Sequence, residues 1–249
     1  MRLALHEQLF PNHTPNDLPT SDLVYLSEKS VPMWKLGYEK SEDGIREFFR
    51  IHGACVDDQP WPSALSFRET WLRGLALCRH VCDEALHLCI DSVPSRVRPS
   101  SGSKAWASTK YSQTPFGQVS DRKGDFSVLY GMHYFNETDL GQASDDDNAI
   151  IALKQHVDPS LCVLEPFLAA NCPGLQVLDQ ATNQWIDCDG PNSPVASHIT
   201  DKEELMCLFV GRAFCKHRPE VQPTLHRVVS SNQSRRSIIY EQKYEEYFE

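Results

Sequence analysis

Two histidines, one aspartate, one arginine and one serine in the second half of the chain have side chains and spacing suited to binding a metal and an anion. His156 and Asp158 stand two residues apart in the stretch 155–159. Residues two apart on a β-strand point to the same face, so this imidazole and this carboxylate can bind one cation together. His226 lies in a second apolar, strand-like stretch. Two histidines and one carboxylate form the facial ligand set that suits iron(II) and leaves coordination positions open.

Arg235 and Ser237 form a candidate anion site shortly after His226. A guanidinium paired with a carboxylate is a strong charge-assisted contact, and a hydroxyl can add a further hydrogen bond. The stretch 230–234 is polar and typical of a turn, so a hairpin there would place both residues in the cavity that holds the metal. We therefore predict a site for the distal carboxylate of 2-oxoglutarate, whose keto acid end would bind the iron.

These residues belong to a longer series of motifs. The stretch 134–240 resembles the 2-oxoglutarate- and iron(II)-dependent oxygenases of the isopenicillin N synthase-like, plant-type branch. The matching segments, in the family's order and approximate spacing, are His-Val-Asp-Pro at 156–159, Gly-Leu-Gln-Val at 174–177, Gln-Trp-Ile at 184–186, Val-Gly at 210–211, His-Arg-Val at 226–228 and Arg-Arg-Ser at 235–237. Fainter similarity extends into the N-terminal half at 46–49, 60–62 and 67–68.

The resemblance implies roles for the candidate residues and a reaction. His156, Asp158 and His226 are expected to bind iron(II), and Arg235 and Ser237 are expected to bind 2-oxoglutarate. The expected reaction uses O₂ to hydroxylate or desaturate a small organic substrate, with release of succinate and CO₂. Ascorbate is a candidate reductant.

Tyr134 stands where the family has a tyrosine that helps to hold the co-substrate, so it is a third candidate ligand of 2-oxoglutarate. Two neighbours depart from the family pattern, because Met132 replaces the usual asparagine and Phe135 replaces the usual proline. Glu165 lies inside an apolar strand candidate, and we expect it at the rim of the pocket.

The resemblance also implies a fold, which is mainly β within the α+β class. It is a double-stranded β-helix, or jelly roll, with N-terminal helices packed against it. Residues 1–120 are expected to form a helical and irregular N-terminal region and residues 121–249 the catalytic core, together making one compact unit.

Apolar spacing in the N-terminal region predicts helices at 41–51 and 67–90. Serine and proline predict a linker at 95–115. Short apolar runs divided by turn residues predict strands at 126–134, 161–168, 175–178, 185–187, 205–210, 224–229 and 237–241.

Composition narrows the classes of function. The net charge of −10 disfavours nucleic acid and anionic membranes as partners, because phosphates would be repelled. The sequence has no apolar run near the length of a spanning helix and no signal-peptide pattern, so we expect a cytoplasmic protein. Nine cysteines are then expected to be reduced and mostly packed in the core. Oligomeric state is not predicted.

Three alternatives stay open at this stage. The first is an iron(II) oxidase of the same fold that does not use 2-oxoglutarate. The second is a catalytically silent scaffold protein. The third is an oxygenase that acts on protein or nucleic acid, of which the acidic charge disfavours the nucleic acid.

Overall fold

The described part of the chain consists mainly of two antiparallel β-sheets and one long helix in the computed structural model. This part comprises residues 20–24, 34–53, 56, 61–62, 65–91, 127–135, 142–143, 150–166, 174–190, 192–194, 206–230 and 234–243. The predicted linker at 95–115 lies outside these residues.

The strands follow the chain in order from β1 to β12. They are β1 (Thr20–Val24), β2 (Trp34–Lys40), β3 (Arg46–His52), β4 (Val128–Tyr134), β5 (Gln142–Ala143), β6 (Ile150–His156), β7 (Cys162–Glu165), β8 (Leu175–Asp179), β9 (Gln184–Asp187), β10 (Cys207–Val210), β11 (His226–Val229) and β12 (Arg235–Gln242). The helices are α1 (Leu65–Asp91) and α2 (Arg212–His217).

The larger sheet has the order β1-β2-β3-β4-β12-β7-β10, and the smaller sheet has the order β5-β6-β11-β8-β9. This arrangement confirms the predicted mainly β class. Each of the seven strands predicted from the sequence overlaps an observed strand. No helix among the described residues has both the length and the apolar character needed to cross a membrane.

Strand alternation gives the larger sheet two different faces. On β12, Ile238 and Tyr240 belong to the hydrophobic core that also contains the apolar side of α1. Arg235, Ile239 and Glu241, which point to the other side of the strand, line a cavity on the opposite face. Because side chains alternate along a strand, one sheet supports a dry core and a polar cavity at once.

Helix α1 covers the apolar face of the larger sheet. Trp71 is fully buried, with its ring centroid 5.3 Å from that of Phe49 on β3. Cys78 and Cys82 lie in the same core, as expected for packing cysteines. The predicted helix at 67–90 is thus confirmed.

The helix predicted at 41–51 is wrong, because this stretch forms a turn followed by β3. Gly44 adopts a positive φ of 71°, and its amide donates to the carbonyl of Ser41 at 2.9 Å. The Asp43 carboxylate accepts from the Ile45 amide at 3.0 Å. A side chain that satisfies nearby backbone amides suits a turn as well as a helix start, and the glycine conformation favours the turn.

The packing of α1 predicts a large loss of stability for Trp71→Ala. Truncating a buried tryptophan removes its contacts and leaves a cavity, which costs about 3–5 kcal/mol. Urea unfolding followed by circular dichroism would measure this loss. Arg73→Ala is the matched control, because its side chain on the same helix is 69% exposed. A change below about 1 kcal/mol in Trp71→Ala would contradict the assignment of this core.

Candidate metal centre

A cavity of about 240 Å³ lies between the two sheets. This volume is close to the lower end of the roughly 300–1,000 Å³ range of small-molecule sites. Its wall combines apolar side chains with many charged and titratable groups. The charged or titratable lining residues are Arg46, Arg50, Tyr130, Tyr134, His156, Asp158, Glu165, His226, Arg235 and Glu241.

The three predicted metal ligands meet in the wall of this cavity. His156, Asp158 and His226 each offer a ligand atom within 4.8 Å of the others. One carboxylate oxygen of Asp158 lies 3.5 Å from Nε2 of His156, and the other lies 3.3 Å from Nε2 of His226. The structure therefore brings together two imidazole nitrogens and one carboxylate.

Backbone pairing in the smaller sheet places the two histidines side by side. His156 ends β6 and is the register partner of His226, which begins β11. Nδ1 of His156 lies 2.8 Å from the carbonyl of Lys154, and Nδ1 of His226 lies 3.2 Å from that of Thr224. When Nδ1 donates to a carbonyl, Nε2 is left deprotonated and free to ligate a metal.

Asp158 lies just beyond the end of β6 rather than on the same strand as His156. Its backbone carbonyl accepts a hydrogen bond from the Arg212 amide at 2.8 Å. Gly211 is required beside it, because a Cβ there would lie 2.2 Å from the Ser160 carbonyl and 2.8 Å from that of Asp158. The start of α2 therefore fixes the loop that carries the carboxylate.

Burial and mutual charge act in opposite directions on the three groups. The hydrogen bond to Asp158 raises the pKa of His156 above its ordinary value, whereas burial lowers the pKa of His226. Burial alone would raise the pKa of Asp158, but its hydrogen bond with His156 and the charge of His226 hold that pKa below the ordinary value. The carboxylate is thus ionised and ready to bind a cation near neutral pH.

The donor set fits iron(II). Two imidazoles and one carboxylate on one side of a metal form the facial triad of non-haem iron oxygenases and leave positions open for exogenous ligands. All three residues also line the cavity, so a metal held by them would lie at its wall.

Arg235 and Ser237 reach the cavity face by a different route from the predicted hairpin. The hairpin is wrong, because β11 belongs to the smaller sheet and β12 to the larger one. The two strands lie across the cavity from each other, with His226 and Arg235 both in its lining. The sheets, rather than a turn, bring the anion-binding candidates to the metal ligands.

The expected position of Glu165 at the rim is wrong, because it is 3% exposed and lies deep in the lining. One Glu165 oxygen accepts from Nη2 of Arg235 at 2.6 Å. Asp189 accepts from Nη2 at 2.9 Å and from Nε at 3.3 Å. The strand pattern around Glu165 allowed a buried position, but no sequence signal linked it or Asp189 to Arg235.

Gly174 leaves room for the Arg235 side chain. A Cβ at this position would lie 2.7 Å from Cδ and 2.8 Å from Nε of Arg235. The amide of Gly174 also donates to Asp189 at 2.8 Å. This glycine, noted in the sequence as part of the Gly-Leu-Gln-Val motif, therefore supports the same guanidinium that Asp189 neutralises.

Two buried donors at the predicted anion site have no hydrogen-bond partner among the described residues. They are Nη1 of Arg235 and the Oγ of Ser237, and each residue is 1% exposed. A buried polar group without a hydrogen bond costs free energy, and a ligand that accepts from it recovers that cost. The arrangement fits a carboxylate that accepts from both.

Tyr134 lies beside Arg235 and is fully buried in the lining. Its ring centroid is 5.8 Å from the guanidinium carbon of Arg235, and its hydroxyl lies 3.5 Å from Sδ of Met132. Arg46 also makes a side-chain hydrogen bond with it. Burial raises the pKa of Tyr134, so the hydroxyl keeps its proton.

No protein-family model matches the chain, and no curated protein matches it. Solved structures do resemble it. One is a protein of Shewanella oneidensis described as an oxygenase, with 17% identity, a TM-score of 0.58, and coverage of 98% of this chain and 76% of that one.

Two further structures contain 2-oxoglutarate, and one of them also contains iron. A full-length Neurospora crassa protein in complex with 2-oxoglutarate has 19% identity and a TM-score of 0.51, covering 84% of this chain and 60% of that one. JOX2 bound to 2-oxoglutarate, iron and JA has 14% identity and a TM-score of 0.51, covering 84% and 55%. This chain therefore spans little more than half the length of these two, and the likeness shows the fold.

The geometry predicts that His226→Ala loses metal affinity. Removing one of three ligands should weaken iron(II) binding by more than about a hundredfold, since even outer-shell changes cost 10–100-fold. Anaerobic titration with iron(II) would measure the affinity. His133→Ala is the control, because His133 pairs with Glu47 and does not line the cavity. Equal affinity in both variants would contradict the assigned metal centre.

Proposed function

We propose that the protein is a non-haem iron(II) and 2-oxoglutarate-dependent dioxygenase of the plant-type branch, with a double-stranded β-helix core. The two antiparallel sheets and the solved structures with 2-oxoglutarate and iron support this proposal. The pairing of β3 with β4 supports treating 1–120 and 121–249 as one compact unit.

One observation carries the proposal. The candidate metal ligands and the buried guanidinium of Arg235 line one small cavity, and the buried hydroxyl of Ser237 lies two residues further along the same strand. His156, Asp158 and His226 would hold the iron, and Arg235 and Ser237 would hold the distal carboxylate of 2-oxoglutarate. With both groups bound, O₂ would oxidise the substrate while 2-oxoglutarate is converted to succinate and CO₂.

The remaining lining indicates a small organic substrate. Phe48, Met132 and Leu153 give the cavity apolar surface. Such surface excludes water from the metal and positions a substrate by its shape. Tyr134 is proposed as a further contact to 2-oxoglutarate, since its ring lies 5.8 Å from the guanidinium carbon of Arg235 and it lines the same cavity.

The test is succinate formation. Purified protein with iron(II), ascorbate, O₂ and 2-oxoglutarate should form succinate slowly even without substrate, and the His226→Ala variant should form none. Succinate would be quantified by mass spectrometry. Absence of succinate from an iron-loaded wild-type protein would contradict the use of 2-oxoglutarate.

A second candidate function is an iron(II) oxidase that does not use 2-oxoglutarate. The contacts of Arg235 favour it, because Glu165 and Asp189 already supply two carboxylates to the guanidinium. Oxygen uptake that proceeds without 2-oxoglutarate and without succinate would identify this activity.

The anion site predicts a selective effect of Ser237→Ala. Loss of one charge-assisted hydrogen bond should raise KM for 2-oxoglutarate about ten- to hundredfold. Because the hydroxyl is far from the metal-bound end in the proposed pose, kcat should change little. Steady-state assays at varied 2-oxoglutarate would measure both constants.

Ser127→Ala is the control for this effect, since Ser127 is a buried serine whose hydroxyl is already hydrogen-bonded to the Lys243 backbone. An unchanged KM in Ser237→Ala would contradict the proposed role of the hydroxyl.

A further inference from the structure

The proposed carboxylate site already contains two protein carboxylates. Arg235 is 1% exposed and is paired with Glu165 at 2.6 Å and with Asp189 at 2.9 Å. Its single positive charge is therefore neutralised before any ligand arrives. A ligand carboxylate on the free Nη1 would be the third acid on one guanidinium.

A third buried carboxylate beside one cation is electrostatically unfavourable. Burial disfavours an ionised acid, and like charges nearby disfavour it further. One of the three acids must therefore carry a proton or leave the guanidinium. The groups around each protein carboxylate decide which acid takes the proton.

Both oxygens of Asp189 already accept hydrogen bonds, four in all. One of its oxygens accepts from the amides of Gly174 and Leu175, at 2.8 and 3.0 Å. Its other oxygen accepts from Nε and Nη2 of Arg235. Hydrogen bonds donated to a carboxylate favour its ionised form.

Glu165 has no such backbone donors among the hydrogen bonds of the described residues, and its carboxylate accepts from Arg235. Burial, only partly opposed by Arg235, raises the pKa of Glu165 to about 7. The titratable groups that interact with it from the packed elements are Arg235 on β12, Asp189 after β9, Tyr134 on β4 and Cys207 on β10.

None of these neighbours competes for the proton near neutral pH. Burial raises the pKa of Tyr134, and the hydrogen bond with Cys188 raises that of Cys207, so both stay protonated. The charges of Glu165 and Asp189, opposed by burial, hold the pKa of Arg235 above its ordinary value. Glu165 is thus the group that changes charge.

We propose that Glu165 takes up a proton when the distal carboxylate of 2-oxoglutarate docks on Nη1 of Arg235 and Oγ of Ser237. The site then recognises a carboxylate together with one proton, and Glu165 is a residue that sets co-substrate affinity. This inference rests on the proposed use of 2-oxoglutarate. It also explains how a carboxylate ligand can bind to an arginine that is already paired with two protein carboxylates.

The direction of the pH dependence follows from linkage. Above about pH 7 the ligand-free Glu165 is ionised, so binding consumes a proton and Kd rises about tenfold per pH unit. Below about pH 6 the group is already protonated and Kd becomes insensitive to its titration. Affinity for 2-oxoglutarate is therefore higher on the acidic side of neutrality.

Calorimetry of 2-oxoglutarate binding at pH 8 tests the proposal. The protein is first saturated with manganese(II) under nitrogen, so that no turnover occurs and metal-linked protons have already left. Titration in two buffers of different ionisation enthalpy gives the number of protons taken up. Wild-type protein should take up about one proton per 2-oxoglutarate bound.

Glu165→Gln is the decisive variant, because the amide is neutral and keeps a carbonyl that can accept from Arg235. It should take up no proton and bind about tenfold more tightly than wild type at pH 8. Glu47→Gln is the matched control, since Glu47 is a buried acid of the larger sheet that bonds Tyr38 and His133 outside the cavity. It should behave as wild type.

Binding to wild type without proton uptake, or uptake retained in Glu165→Gln, would overturn the proposal and leave the proposed function standing. Binding to Glu165→Gln but not to wild type at pH 8 would support it. If neither protein binds 2-oxoglutarate although both bind manganese(II), the co-substrate assignment fails and this proposal fails with it.

Discussion

The full positive charge of Arg235, held at a position that is 1% exposed, constrains much of the structure around the cavity. A buried charge must be paired, and Glu165 and Asp189 provide the pairing from two other elements. Asp189 is in turn fixed by the amides of Gly174 and Leu175, so the start of β8 in the smaller sheet is tied to β12 in the larger one. One ion-pair cluster thereby links the two sheets on the side of the cavity where an anion would bind.

Strand alternation allows this polar cluster to exist beside a dry core. The side chains of β12 that face α1 include the apolar Ile238 and Tyr240, whereas the alternate ones include Arg235, Ser237 and Glu241. Packing against α1 stabilises the sheet, so the cavity face can keep unsatisfied donors at some cost in stability. Side chains that serve function but lower the stability of the protein are tolerated where packing on the other face of the same sheet restores that stability.

The sequence predicted that His156, Asp158 and His226 lie together, because the chemistry of a metal site depends on residue type and spacing. It predicted α1 because a long run of apolar residues at helical spacing is typical of an amphipathic helix. It did not predict β3, where Ser41, Asp43 and Gly44 could begin a helix or close a turn, and only the pairing with β4 decides between them. The sequence also did not predict the ion pairs of Arg235. Glu165 and Asp189 are distant from Arg235 in the chain, and they contact it only after both sheets form.

The same cluster explains why a motif match alone is an incomplete guide to this site. An arginine and a serine two residues apart suggest a simple anion receptor, and within the described part of the chain the donor atoms Nη1 and Oγ have no hydrogen-bond partner. Yet the net charge of the receptor is set by Glu165 and Asp189, which the motif does not contain. Whether the cavity attracts or repels a carboxylate thus depends on one proton on a buried glutamate. Recognition of the co-substrate is in this sense a property of the assembled sheets rather than of the strand that carries the motif.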